Sequence, residues 1–239
     1  MKAILLAAGL GTRLGEQGSG IPKGMIRVGG RPILERTVAW LREFGVEEIA
    51  INLHHRPDDI TGFFGDGEAQ GVLIRYSFEP TLLGTAGALR PLAAWLVEDG
   101  RFLVVYADNL INCDLLALTA VHERSQAAAT VALFHREDVS ASGVAELDGE
   151  GRIRAFREKP KSDETDSRWV NAGLIVCEPR VLDFVPGSGP ADFGRDVLPA
   201  LIEAGERVAG YRMGPQESLH WIDTPEDLAN VHALLGGSR

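Results

Sequence analysis

Two glycines one residue apart, then a threonine and an arginine, follow at once on an apolar run: Ala3 to Ala8 leads into Gly9-Leu10-Gly11-Thr12-Arg13. Glycines in such a turn leave no side chain above it, so a ligand can approach the main-chain N–H groups closely. Arg13 adds a permanent positive charge on a planar fork suited to phosphate oxygens, and Lys23, after Pro22 in a polar loop, supplies a second cation. A dinucleotide-binding turn needs a third glycine where Leu14 stands, and a P-loop would close on Gly-Lys-Ser/Thr, which this turn lacks. Besides an ordinary glycine-rich strand-to-helix turn, what remains is a loop that cradles the phosphates of a nucleoside triphosphate.

Carboxylates come next. Asp108 follows the apolar run Arg101 to Tyr106 after Ala107, at the carboxyl edge of a sheet where open α/β folds bind ligands. Beside a triphosphate it would repel unless a divalent cation lay between them, and Mg²⁺ takes one or two carboxylates plus phosphate oxygens. Asp223, in Trp221-Ile222-Asp223-Thr224-Pro225, is the parallel case, with Thr224 capping and Pro225 opening a helix. Each aspartate taken alone also reads as a turn or cap residue. Gly84-Thr85-Ala86-Gly87 is a second glycine-rich helix start, open to a flat base or ribose and equally suited to tight helix-on-sheet packing. In Phe156-Arg157-Glu158-Lys159-Pro160, Lys159 can meet a second phosphate and Glu158 can accept from sugar hydroxyls, or the pair is a solvated edge. Asn171-Ala172-Gly173 interrupts an apolar strand, and a buried amide there needs a partner that a sugar could supply. His54 and His55 close a strand and read as structural or surface residues.

The elements that must position these groups alternate in the first half of the chain, the mark of a mostly parallel sheet covered by helices. Strands are expected at Ala3 to Ala8, Glu48 to Leu53, Val72 to Phe78 and Arg101 to Tyr106. Helices are expected at Ile33 to Phe44, Asp58 to Phe64 and Gly84 to Val97. The second half is richer in strands: Ala129 to His135, Gly143 to Leu147, Ile153 to Arg157, Val170 to Cys177, Val208 to Met213 and Leu219 to Ile222, with helices at Asp192 to Ala204 and Thr224 to Leu235. With 239 residues, 45% of them hydrophobic, the chain can bury a substantial core. One domain over 1–239 is expected, with a nucleotide-binding half at 1–128 and a sugar-phosphate half at 129–239. A net charge of −10 argues against nucleic acid or an anionic membrane as partner. Cys113 and Cys177 read as inert core thiols. The apolar run at the start is too short for a signal peptide and no apolar stretch is long enough to span a membrane, so a cytoplasmic protein is expected.

Taken in order, Leu6 to Leu14 (LAAGLGTRL), Pro22-Lys23, Leu83 to Leu89 (LGTAGAL), Ala107-Asp108-Asn109, Glu158-Lys159-Pro160, Asn171-Ala172-Gly173 and Asp223-Thr224-Pro225 resemble the sugar-1-phosphate nucleotidylyltransferases. Asn52-Leu53-His54 and Asp192 to Leu201 look most like the mannose- or heptose-1-phosphate guanylyltransferase branch. That family commonly ends Trp-x-Asp-Ile-Gly-Thr-Pro. Here either two residues are absent or Asp223 stands at the glycine position.

The resemblance implies a Rossmann-like, GT-A-like three-layer α/β/α fold with a mostly parallel mixed sheet. It also implies transfer of a nucleoside monophosphate to a sugar-1-phosphate with release of pyrophosphate. Arg13 and Lys23 would be catalytic, with Leu6, Ala8, Gly9, Gly11, Thr12, Glu79, Gly84 and Thr85 on the nucleotide. Asn109, Gly143, Glu158, Lys159 and Asn171 would hold the sugar phosphate, and Asp108 and Asp223 a Mg²⁺ ion. Glu79 falls at the family's base-reading position; two carboxylate oxygens match guanine's adjacent N1–H and N2–H, which favours GTP. Uridylyl, thymidylyl or cytidylyl transfer, a catalytically silent homologue and a nicotinamide-binding oxidoreductase remain as alternatives, and a homo-oligomer is possible.

Overall fold

The computed structural model describes residues 1–9, 20–161 and 163–236. The chain opens with β1 (Lys2–Leu6), whose Ala3, Ile4 and Leu5 are fully buried. Helix α1 (Ile33–Glu43) turns Ile33, Leu34, Val38 and Leu41 inward and stops where Gly45 takes a φ of +76°. Then come β2 (Glu48–Leu53), α2 (Pro57–Phe64) with proline in its first turn, and β3 (Leu73–Phe78). After these lie β4 (Phe102–Tyr106), β5 (Asn109–Asn112) and α3 (Leu115–Ser125). The Asp114 carboxylate caps α3 by accepting from Leu116 N (2.9 Å) and Ala117 N (3.0 Å). Four strands follow: β6 (Ala129–His135), β7 (Gly143–Leu147), β8 (Ile153–Glu158) and β9 (Trp169–Cys177). The chain continues through α4 (Leu198–Glu203), β10 (Val208–Arg212), β11 (Ser218–Trp221) and α5 (Pro225–Gly236).

Lys2–Leu82, Val105–Asn112 and Leu219–Arg239 form one compact unit; Leu83–Val104 and Cys113–Ser218, with Met1, form another. In the first unit β1, β2 and β3 run parallel, with Ala3 opposite Ile49 and Glu48 opposite Leu73. Parallel neighbours need crossovers, which α1 and α2 supply. In the second unit β8 returns antiparallel on β7 after a turn in which Gly151 has φ +80°, β9 pairs antiparallel with β6, and β10 runs parallel to β6. The α/β class and the mixed sheet expected from the sequence are both present.

Of two long helices expected from the sequence, one is divided and the other is continuous but changes its winding. Gly84 to Val97 divides into the helical turns Gly84–Gly87, Arg90–Leu92 and Ala93–Leu96, because Pro91 carries no N–H to continue a helix. Asp192 to Ala204 begins as a π-helical turn, Phe193–Val197, before α4.

Candidate active site

In the first unit the ammonium of Lys23 lies between two carboxylates. Its Nζ donates to Asp223 Oδ1 at 2.6 Å and to Asp108 Oδ2 at 2.9 Å. The polar loop expected around Lys23 is instead a 3₁₀ turn, Lys23–Met25, with Lys23 only 6% exposed. A buried ammonium is tolerated because both partners are anionic. Burial by itself would lower its pKa, but Asp108 and Asp223 together outweigh that and hold it above the usual lysine value.

Each of the three side chains is fixed by local structure. Gly24 lets the lysine turn press against the next elements: a Cβ there would sit 3.3 Å from Leu34 Cβ and 3.5 Å from Ala107 O. Ala107 N donates to Leu6 O (3.2 Å), so Asp108 emerges beside the end of β1. Asp223 is held by a reciprocal cap at the start of α5. Asp227 Oδ2 accepts from Thr224 N (2.8 Å) and Asp223 N (3.1 Å), while Asp227 N donates to Thr224 Oγ1 (3.1 Å). Ile26, Val28, Ile33, Ile222, Leu228 and Val231 form one apolar cluster, which ties the segment after Lys23 to the segment that carries Asp223.

Two carboxylates that share one ammonium lie within reach of one cation, and carboxylate oxygens are the ligands that Mg²⁺ prefers. Among the described residues no group of three or more His, Cys, Asp or Glu could hold a metal. A Mg²⁺ ion here would therefore complete its shell with phosphate oxygens and water. The donor set fits that ion.

A second cluster in this unit surrounds the end of β1. Ala8 N and Ala7 N donate to Asn52 Oδ1 at 3.3 and 2.6 Å, and Asn52 Nδ2 donates to Glu79 Oε1 at 2.8 Å. Glu79 is 1% exposed and Asn52 3%. Asn109 is also buried, and among the described residues no atom lies within 4 Å of where a Cβ on Gly9 would stand. Gly11, Thr12 and Arg13 lie outside the described residues.

In the second unit Glu158 ends β8 opposite Gly143. A Cβ on Gly143 would fall 2.8 Å from Glu158 Oε2 and 2.7 Å from the Phe156 ring, and one on Gly194 would fall 2.6 Å from the same oxygen. The carboxylate thus fits against two bare backbones. Burial, with a contribution from Asp192, pushes its pKa up despite Lys159 and Arg195. Lys159 takes a left-handed φ of +51°, and its N–H donates to Ser142 O (3.0 Å). Asn171 accepts from Gly173 N (2.9 Å) through Oδ1, at an irregular stretch of β9 where Gly173 has φ +76°. Its carbonyl is thereby satisfied within the strand, which leaves the NH₂ as the end suited to a ligand.

Gly84 and Thr85 are engaged with the segment around Asp192. The N–H groups of Ala86 and Gly87 donate to Ala191 O (2.9 and 3.1 Å) rather than pointing outward. Thr85 Oγ1 donates to Asp192 Oδ2 (2.7 Å) and accepts from Phe193 N (2.9 Å). Here the tight packing that glycine and alanine also serve is what the structure adopts. Asn52 and Asp192 open two of the segments that carry the resemblance, Asn52-Leu53-His54 and Asp192 to Leu201, but neither is assigned a role there. Asn52 had the same signal as Asn171, a lone amide in an apolar strand.

The chain belongs to the nucleotidyl transferase family, whose model matches residues 2–235. It is 34% identical over 235 residues to a UTP–glucose-1-phosphate uridylyltransferase of Synechocystis sp., covering 93% of this chain and 60% of that protein. It is 33% identical over 236 residues to a mannose-1-phosphate guanylyltransferase of Mycobacterium tuberculosis, covering 98% and 64% respectively. The chain therefore spans less than two thirds of these curated relatives' lengths. Among solved structures, a Bacillus anthracis chain in complex with sucrose shares the fold with a TM-score of 0.85 at 24% identity, covering 98% of this chain and 95% of that one. HddC from Yersinia pseudotuberculosis, complexed with GMP-PN, shares it with a TM-score of 0.80 at 22% identity and 98% of each chain.

Proposed function

We propose that this protein transfers a nucleoside monophosphate from a nucleoside triphosphate, GTP first among them, to a mannose- or heptose-like sugar-1-phosphate. The observation that carries this reading is the convergence of Lys23, Asp108 and Asp223 within 2.6–2.9 Å in a chain of this family. A phosphate oxygen of the sugar phosphate attacks the α-phosphorus in line. The bond from that phosphorus to the bridging oxygen breaks, and pyrophosphate leaves with the electron pair. The nucleophile is already anionic, so the protein supplies position and charge rather than a strong base.

Arg13 would grip the leaving phosphates and Lys23 would steady the reacting phosphate, while Asp108 and Asp223 would hold the divalent metal, Mg²⁺. When bound, that ion neutralises charge on the phosphate oxygens. Lys159 meets the phosphate of the sugar, Glu158 accepts from its hydroxyls, and Asn171 donates through its NH₂. Gly143 leaves room for the Glu158 carboxylate. Leu6, Ala8, Gly9, Gly11, Thr12, Gly84 and Thr85 belong to the nucleotide on this reading. On this reading 1–239 acts as one catalytic domain in the cytoplasm. No described helix is long and apolar enough to cross a membrane.

Glu79 carries the base preference. Its carboxylate accepts hydrogen bonds and gives none, which matches the N1–H and N2–H of guanine. UTP is the second reading, on the strength of the uridylyltransferase name of the Synechocystis relative. The test is pyrophosphate release with GTP, UTP, dTTP, CTP and ATP against a panel of sugar-1-phosphates. GTP should give the highest kcat/KM, and Glu79→Gln should lower it roughly ten- to a hundredfold through one lost charge-assisted bond and one mismatched pair. A parent that prefers UTP overturns the guanylyl reading while leaving the reaction class intact. No turnover with any pair overturns both.

A further inference from the structure

The Glu158 carboxylate is wedged between two glycine backbones, and only one of them is fixed by the sheet. Gly143 lies opposite Glu158 in the ladder of β7 and β8, whereas Gly194 belongs to the π-helical turn and needs support of its own. The Asp192 side chain supplies it. Its Oδ1 accepts from Gly194 N (2.9 Å) and Arg195 N (3.2 Å), its Oδ2 accepts from Thr85 Oγ1 (2.7 Å), and its own N–H donates to Asp196 Oδ2 (2.7 Å). The glycine-rich segment fixes the residues on either side of it. Ala86 N and Gly87 N donate to Ala191 O, Ala191 N donates to Leu83 O (2.8 Å), and a Cβ on Gly84 would run into Ala191 O. Thr85 Oγ1 accepts from the N–H of the fully buried Phe193 at 2.9 Å. The Asp192 carboxylate is where these supports join the turn that presses on Glu158.

We infer that Asp192 is a positioning residue for the sugar-phosphate end of the site: by capping the turn it sets the Gly194 main chain against Glu158, and so fixes where that carboxylate meets the hydroxyls of the sugar. The inference rests on the sugar-binding reading of Glu158 above. It gives the Thr85 hydroxyl a task in this support, distinct from any contact of its main chain with the nucleotide. A Cβ on Gly194 would stand 2.6 Å from Glu158 Oε2, so a turn that loses its cap cannot relax without changing the space open to that oxygen. Asp192 also acts through charge. It opposes ionisation of Glu158 and adds to the effect of burial, while Lys159 and Arg195 act in the other direction.

The test uses the parent, Asp192→Ala, Asp192→Asn and Glu158→Gln, each measured for Tm and, as a function of pH, for the KM of GTP and of the sugar-1-phosphate the panel prefers, mannose-1-phosphate on the reading above. Asp192→Ala removes the cap and should raise KM for the sugar phosphate about tenfold, the scale of one hydrogen bond to a charged group. KM for GTP should stay within about twofold of the parent's. Asp192→Asn keeps an oxygen for the Gly194 and Arg195 N–H groups and can donate to Thr85 Oγ1, so its KM at high pH should match the parent's. With the charge at 192 gone, the rise in that KM on acidification should move to lower pH. A cap that served only the fold would lower Tm in Asp192→Ala and would move neither the split between the two KM values nor the pH midpoint in Asp192→Asn. If both KM values rise together in Asp192→Ala, or the Asp192→Asn midpoint stays parental, the inference fails; the midpoint decides alone should Asp192→Ala not fold. A parental KM for the sugar phosphate in Glu158→Gln overturns the sugar-binding reading of Glu158, and this inference with it. A raised KM in Glu158→Gln beside a parental one in Asp192→Ala overturns this inference alone.

Discussion

Removing the Lys23 ammonium should cost both turnover and stability, and the structure sets the size of each. The side chain of Lys23 is 8% exposed, while those of Asp108 and Asp223 are 41% and 36% exposed. Truncating one partner of a fully buried ion pair costs about 3–5 kcal/mol, because the other charge is left uncompensated. Here water reaches both carboxylates and screens them, which reduces the expected loss in Lys23→Ala to about 1–3 kcal/mol. For a chain of this size that is a fall in Tm of about 2–12 °C. Loss of one electrostatic stabiliser of the reacting phosphate should cost roughly 10²–10³ in kcat.

Two assays separate these effects: initial rates of pyrophosphate release, and thermal unfolding without nucleotide. Adding Asp223→Asn to Lys23→Ala removes the repulsion between the two carboxylates. The double variant should regain part of the lost Tm and none of the lost rate. A Lys23→Ala protein that turns over at the parental rate would remove the ammonium from the mechanism. One with the parental Tm would show that the bridge of 2.6 and 2.9 Å does not contribute to the fold.

The remaining expectations concern charge. Asp108→Asn should weaken Mg²⁺ dependence about a hundredfold, since one unit charge near a divalent ion is worth several kcal/mol in protein surroundings; half-activating Mg²⁺ concentrations check this, and an unchanged value refutes it. Glu158, with its pKa raised chiefly by burial, loses its acceptor charge at a higher pH than an ordinary carboxylate. KM for the sugar phosphate should rise as pH falls through that range, and Glu158→Gln should flatten the profile. His122 sits 2.8 Å from Thr130 Oγ1 and 3.0 Å from Glu178 Oε1, and burial lowers its pKa, with Arg101 and Arg180 adding to the shift against Glu178. The unfolded chain then binds the extra proton first. Stability from the neutral ring is complete above the ordinary histidine pKa of about 6.5 and is lost as pH falls through the lower folded value. Tm measured against pH should show this slope, and His122→Gln should reduce it.

Local periodicity determined most of the elements. Helix α1 lies within a residue of its expected bounds and β2 matches at both ends, because apolar spacing and a closing glycine act over one or two turns of chain. The sequence reading marks no element between Tyr106 and Ala129, where the structure has β5 and α3. A four-residue strand between polar residues has too few side chains to show a period, and its pairing with β11 is a tertiary event. Residue types alone picked out Lys23, Asp108 and Asp223 as candidates. Only the tertiary structure decided that they meet, across separations of 85 and 200 residues, and that the lysine is buried between the aspartates. The same holds for Asn52. Its chemistry was legible as a lone amide in an apolar strand, but its partners at Ala7 and Glu79 come from neighbouring strand ends. Burial and hydrogen-bond pairing are set by what packs nearby in space, and local sequence encodes only the capacity for them.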